Sequence, residues 1–382
     1  MPDRKTSERL TNKMIPVNRP LVTERDKEEV NKALEETWLS GDTTPVKNLE
    51  ASLKKTLGTE NAIAVSNGSV ALDICTEALE INEGDECVVP TFTIISTVAN
   101  LARKRAKIRL IDADPVTWSM DAQETIFSMS ENTKLVVPVH IYGLSVDMDP
   151  IIEKSLVTGT HILEDAAEAL GVTYKGKACG TFGILGTFSF FANKVVTGGE
   201  GGAIITNDYL LAEKIRKLKN LNHSDEERFV HKELGWNARL PGLSAALINS
   251  QLQRLEELVK TKKSKAQVYL DGLMGHPWFD FQPASTQHSE NAFWVFGILL
   301  NEQSPFNAKE LQNILRERGV DTRRFFCPMH LQPVFSNLFS GSKGAFPVAE
   351  QLWLKGLYLP SGIGTTDNEI SQVIETLWEL IK

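Results

Sequence analysis

The chain has 382 residues, 42% hydrophobic and 24% charged, with a formal net charge of −8. Ordinary globular composition at that length accommodates one large domain and a smaller one. It excludes a low-complexity or solenoid architecture, and the acidic balance with dispersed basic residues argues against a nucleic-acid partner. Residues 1–14 are polar and read as a disordered extension. Nothing there resembles a signal peptide, and no apolar run reaches the length of a membrane span, so a cytoplasmic setting is expected. Cys75, Cys87, Cys179 and Cys327 lack C-x-x-C spacing and a companion histidine pattern, so no zinc site is expected.

Short apolar runs predict strands over 62–65, 86–89, 108–111, 135–139, 161–164, 186–189 and 202–206. Helical stretches over 70–79, 94–103 and 151–156 lie between them. Several strands lack polar alternation, the pattern of strands buried on both faces. Alternating β and α predicts an α/β fold with a mostly parallel sheet covered by helices, and such sheets bind ligands beyond their strands' carboxyl ends. An amphipathic helix is predicted from Asn249 through Leu252, Leu255 and Leu258. A strand over 292–300 and helices over 308–318 and 368–381 complete a smaller α+β domain. The expected domains are 15–250 and 251–382.

Three features carry chemistry. The strand over 161–164 leads into E-D-A-A-E-A-L-G, so Asp165 stands at a strand end before helix-like sequence. It either caps a helix or is a carboxylate held beneath a cofactor ring to keep a pyridine nitrogen protonated. Lys194 lies between Phe188, Phe190 and Phe191 on one side and Gly198, Gly199, Gly201 and Gly202 on the other. Apolar neighbours lower a lysine's pKa, and the neutral amine is the form that attacks an aldehyde. The glycines allow close approach to a ligand or merely make a tight turn between two strands. Ser189 precedes Lys194 by five positions, where its hydroxyl can meet a phosphate. Finally, S-N-G-S-V-A-L (66–72) follows a strand and opens a helix, so backbone N–H groups near Gly68, with the Ser69 hydroxyl, can cradle a phosphate.

Six ordered strings carry a resemblance: G-D-E-C-V-V-P-T-F-T (84–93), V-H-I-Y-G…D-M-D-P (139–150), E-D-A-A-E-A-L-G (164–171), G-T-F-S-F-F-A-N-K…G-E-G-G (186–202), G-W-N-A-R-L (235–240) and F-F-C-P-M-H (325–330). Together they make the chain resemble, from Ile15 to its end, the DegT/DnrJ/EryC1/StrS sugar aminotransferases, which have the aspartate-aminotransferase fold (fold type I). The resemblance implies pyridoxal 5'-phosphate as cofactor, bound to Lys194 as a Schiff base, with Asp165 on the pyridine nitrogen. It puts Glu168 near the ring hydroxyl, where many relatives have glutamine and perosamine-type members have glutamate. It assigns the phosphate to Gly68, Ser69 and Ser189, with Asn237 reaching the neighbouring subunit's cofactor in a homodimer with shared active sites.

The implied reaction moves the amino group of L-glutamate to a nucleotide-linked 4-keto-6-deoxy sugar, for surface polysaccharide biosynthesis. Another keto sugar, or a non-catalytic regulator of the same fold, is the alternative. Ile94 stands where many relatives stack an aromatic ring on the cofactor, Ala238 where they have tyrosine, and Ile184 where they often have aspartate. His140, Arg239, Arg323 and His330 are candidate substrate contacts, each with a structural role as the competing reading.

Overall fold

The structure is a computed structural model that describes residues 14–223, 227 and 229–381. Apart from Met14, the extension expected over residues 1–14 lies outside the described residues. Two helices come first, α1 (Glu24–Glu35) and α2 (Thr44–Leu57). Strands and helices then alternate: β1 (Asn61–Val65), α3 (Gly68–Ala78), β2 (Glu86–Pro90), α4 (Ser96–Arg103), β3 (Lys107–Ile111), α5 (Ala122–Ser128), β4 (Thr133–Val136), α6 (Met148–Thr158) and β5 (His161–Asp165). A short hairpin, β6 (Thr173–Tyr174) and β7 (Lys177–Ala178), precedes β8 (Leu185–Ser189), β9 (Gly202–Thr206) and α7 (Tyr209–Leu218). The rest comprises α8 (Gly242–Leu252), α9 (Leu255–Gly272), β10 (Phe279–Phe281), β11 (Phe296–Leu300), α10 (Ala308–Glu317), β12 (Arg323–Arg324), α11 (Pro347–Lys355), β13 (Gly356–Leu359) and α12 (Asp367–Glu379).

The central sheet has seven strands in the order β1-β9-β8-β5-β4-β2-β3. β9 runs antiparallel to both its neighbours, while the pairs β8–β5, β5–β4, β4–β2 and β2–β3 are parallel. Side chains alternate across each strand, so Ala62, Ala64, Val88 and Phe188 enter one apolar core while Ile63, Val65, Val89 and Leu185 enter another. That two-sided burial is why these strands read as continuous apolar runs. A second sheet, β10-β11-β13-β12, is antiparallel throughout and packs its own core with α9, α10 and α12.

Three expectations are corrected. The strand expected over 135–139 ends at Val136, because Pro138 has no N–H for the ladder; Val139 keeps only an isolated bridge to Asp165. No helix follows Asp165, whose chain continues in turns to β6, so the helix-capping reading of Asp165 falls. The helix expected from Asn249 is two helices, because Arg254 leaves helical geometry at φ −117°, ψ 20°.

Arg254 departs to bind Asp26 on α1. Its Nη2 lies 3.0 Å from Asp26 Oδ2, and the Ser250 hydroxyl donates to Oδ1 at 2.7 Å. Burial pushes the Asp26 pKa up, but the hydrogen bonds from Thr23 and Ser250 and the Arg254 charge outweigh it and hold the pKa below its ordinary value. Asp26→Ala leaves the guanidinium with the looser Glu257 contact at 3.9 Å and is expected to cost about 3 kcal/mol in chemical denaturation. Because the folded pKa is depressed, the contribution is complete above the unfolded carboxylate's pKa and disappears as pH falls through the folded one.

Candidate active site

Asp165 is the last residue of β5 and only 2% exposed. Its Oδ2 accepts the Thr97 hydroxyl at 2.9 Å and its Oδ1 the Ala167 N–H at 3.2 Å. Burial raises its pKa against those two hydrogen bonds and the nearby charge of Lys194. An ionised carboxylate has four acceptor positions, so this one keeps capacity for another donor.

Lys194 sits beyond β8 and turns its amine inward. Its Nζ is 3.8 Å from Glu168 Oε1 and 3.6 Å from the centroid of the Trp294 ring. Burial lowers the Lys194 pKa, while the Glu168 and Asp165 charges oppose the shift. Burial also lifts Glu168 to about 7 against the Lys194 charge. Glu168 Oε2 accepts the Tyr142 N–H at 2.8 Å, and that N–H is aimed by a left-handed backbone at Tyr142 (φ 58°). Lys194, Glu168, Ser189 and Trp294 line one cavity.

Beside this cavity the start of α3 presents backbone donors. Asn67 caps the helix through Val70 N–H, and the first N–H groups of a helix have no intrahelical partner. Ser69 Oγ lies 2.7 Å from Ser96 Oγ at the start of α4. A Cβ on Gly68 would stand 3.1 Å from the Ser189 Cβ, and one on Gly202 would stand 2.5 Å from the Asn67 carbonyl carbon. Glycine at these positions lets three segments converge, leaving N–H groups and three hydroxyls for an anion. Ile94, 41% exposed, lies two residues before α4 and offers an apolar face there.

The other candidates are held by contacts of their own, His140 with its backbone N–H on the Asp165 carbonyl at 3.2 Å. Both nitrogens of each histidine are engaged: His140 Nδ1 accepts the Val146 N–H and so Nε2–H donates to Glu164, while His330 bridges the Thr91 hydroxyl and Glu350. The geometry therefore favours structural roles over substrate contact. Arg239 donates to Asn237 Oδ1 and lines a separate cavity of ≈ 740 Å³ with Lys47, Arg216 and Lys219. Arg323 stands opposite Tyr358 in the β12–β13 pair, and the Tyr358 ring lies 6.3 Å from that of Tyr142. Sequence reasoning missed Thr97, Ser96 and Trp294. Thr97 and Ser96 carried a weak signal, hydroxyls in the first turn of a helix after a strand, whereas Trp294 lies a hundred residues from Lys194.

A profile of the DegT/DnrJ/EryC1/StrS aminotransferase family matches residues 20–378. The chain belongs to that family. It is 32% identical to a GDP-perosamine synthase of Escherichia coli O157:H7 over 96% of this chain and 98% of the relative. It is 30% identical to a UDP-N-acetyl-3-dehydro-α-D-glucosamine 3-aminotransferase of Acidithiobacillus ferrooxidans, over 85% of each. Its fold superposes on the aminotransferase TlmJ of Streptoalloteichus hindustanus with a TM-score of 0.89 at 27% identity, covering 97% of this chain and all of TlmJ. The family, the fold and the cofactor expected from the motifs are all borne out: this is a pyridoxal-phosphate-dependent sugar aminotransferase.

The residues present fit that cofactor. A buried carboxylate with spare acceptor capacity suits a protonated ring nitrogen, a desolvated amine suits an aldehyde, and the glycine-lined cradle suits a phosphate. Glu168→Gln is expected to remove a titration near pH 7 from the pH–rate profile and to change the rate several-fold. A profile identical to the parent's would show that the carboxyl does not titrate in the reaction.

Proposed function

We propose that the enzyme transfers the amino group of L-glutamate to a nucleotide-linked 4-keto-6-deoxy sugar, as a GDP-perosamine synthase does. The observation carrying this reading is the Lys194 amine, Glu168 and Ser189 around one cavity, with the buried Asp165 close enough to bias the amine's charge. Pyridoxal phosphate, when bound, supplies an electron-withdrawing ring that takes up the amino group and spreads the negative charge left on carbon.

Asp165 is assigned to the ring nitrogen, where an ionised carboxylate keeps a proton in place. Lys194 is the attachment point and, once free, the base that takes the donor's α-proton and returns a proton to the sugar carbon; its lowered pKa makes the neutral amine available. Gly68, Ser69 and Ser189 hold the phosphate with help from Ser96. Ile94 packs on the ring face and Glu168 beside the ring hydroxyl. Asn237 reaches the neighbouring cofactor's phosphate in a homodimer, and Arg239 and Arg323 are the guanidinium candidates for the substrate's phosphates.

Residues 15–250 form the cofactor domain and 251–382 the smaller one, in a cytoplasmic enzyme of surface polysaccharide biosynthesis. Support for the GDP-linked substrate is the glutamate at 168 and the full-length likeness to the E. coli relative. The likeness to the Acidithiobacillus relative favours a second reading, a UDP-linked 3-keto sugar.

Lys194→Ala is expected to lower turnover by at least about a thousandfold. With purified enzyme, L-glutamate and a panel of GDP-, UDP- and dTDP-linked keto sugars, the GDP-4-keto-6-deoxy sugar is expected to give the highest kcat/KM. Preference for a UDP-linked 3-keto sugar would select the second reading.

A further inference from the structure

Trp294 lies just before β11, in the part of the chain that builds the second sheet, yet it touches the amine of Lys194 at the first sheet. The Nζ stands 3.6 Å from the centroid of its ring. The indole N–H donates at 2.9 Å to the carbonyl of Asn193, the residue before Lys194. One buried side chain thus fixes both the head of the lysine and the backbone at its base.

The indole is itself held in place. The Ala292 N–H donates to the Gly143 carbonyl at 2.9 Å, and the Phe293 N–H to Asn291 Oδ1 at 2.7 Å. A Cβ on Gly143 would come 2.7 Å from the Trp294 backbone nitrogen, so the left-handed Tyr142–Gly143 turn that presents an N–H to Glu168 also lies directly against the segment that carries the indole.

The face of an indole ring attracts an ammonium, not a neutral amine. The other groups facing Lys194 are Glu168 and Asp165 from the end of β5, and Lys262 of α9, which lines a small cavity with Lys194, Asn193 and Trp294. Lys262 is turned to the Ser361 carbonyl, and burial and the charge of Lys265 push its pKa down to about 7.

Transamination requires a lysine that leaves the cofactor, carries a proton and comes back to the same carbon. We propose that Trp294 is the seat of the detached Lys194 ammonium, a positioning residue that holds the protonated side chain, within each half-reaction, between taking a proton from one carbon and returning it to another. Within the donor half-reaction Nζ would take the α-proton and return it to the cofactor, and within the acceptor half-reaction it would take a proton back and give it to the sugar carbon, so that Nζ gains and loses one proton in each. The proposal rests on Lys194 being the reacting amine.

The test uses the cofactor-free full chain. Trace acetylation with acetic anhydride, read on the Lys194 peptide by mass spectrometry across pH, reports the fraction of neutral amine. Trp294→Leu keeps the site apolar but removes the ring face, and is expected to move the midpoint down by about one pH unit, roughly tenfold more neutral amine at a given pH. Trp294→Phe is expected to move it down by less, and carries the test alone should the leucine variant not fold. An unmoved or raised midpoint in the variant that folds overturns the seat. The same proteins, loaded with pyridoxal phosphate and reduced with borohydride, are expected to carry the label on Lys194. Label on Lys194 with an unmoved midpoint rejects the seat alone; label on another lysine rejects the reading of Lys194 and the seat with it.

Discussion

Removing a carboxylate and an amine from water at one edge of a sheet is the constraint on which the site depends. Each charge becomes costly without a partner, and burial drives each toward its neutral form. Asp165 is compensated by a hydroxyl and a backbone N–H, Glu168 by the Tyr142 N–H, and Lys194 by Glu168 and the Trp294 ring. The compensation is incomplete, and that incompleteness leaves an amine easily deprotonated and a carboxyl pushed to about 7. A fully paired lysine would be a cation at all physiological pH and a poor base.

The fold supplies this arrangement through strand order. β5 and β8 are adjacent, so Asp165 and the chain toward Lys194 leave the sheet side by side. β1 is separated from β8 by β9, yet the start of α3 still reaches Ser189, because Gly202 of β9 has no Cβ to hold the Asn67–Gly68 backbone away. Directly before Asp165, the buried Glu164 accepts the His140 ring N–H and the backbone N–H groups of Gly180, Phe182 and Gly183. A side chain at Gly183 would strike the Ile162 carbonyl, so glycine there lets the loop close on the carboxylate. This hub stiffens the strand end that carries Asp165, and it gives His140 a purpose other than the substrate.

Much of this was legible in the residues. Short apolar runs marked the seven strands of the main sheet, several without alternation because burial on both faces removes it, whereas β3 keeps Lys107 and Arg109 exposed. The residues beyond β1, β5 and β8 pointed to one site because parallel strands present their carboxyl ends on one side. Elements set by contacts distant in sequence were harder to read. Leu252, Leu255 and Leu258 keep helical spacing across the break between α8 and α9, so periodicity could not reveal that Arg254 turns away to Asp26. The turns after Asp165 carry helix-like residues, and tertiary hydrogen bonds override their propensity. Trp294 was invisible for the same reason: only the packing of the second sheet against the first brings it to Lys194.

The most direct test of the central claim is a crystal structure of the enzyme loaded with pyridoxal phosphate. The ring nitrogen is predicted within hydrogen-bond distance, about 2.7–3.0 Å, of an Asp165 carboxylate oxygen, with the phosphate against Ser69 and Ser189. A ring bound elsewhere, or one whose nitrogen faces away from Asp165, would contradict the account.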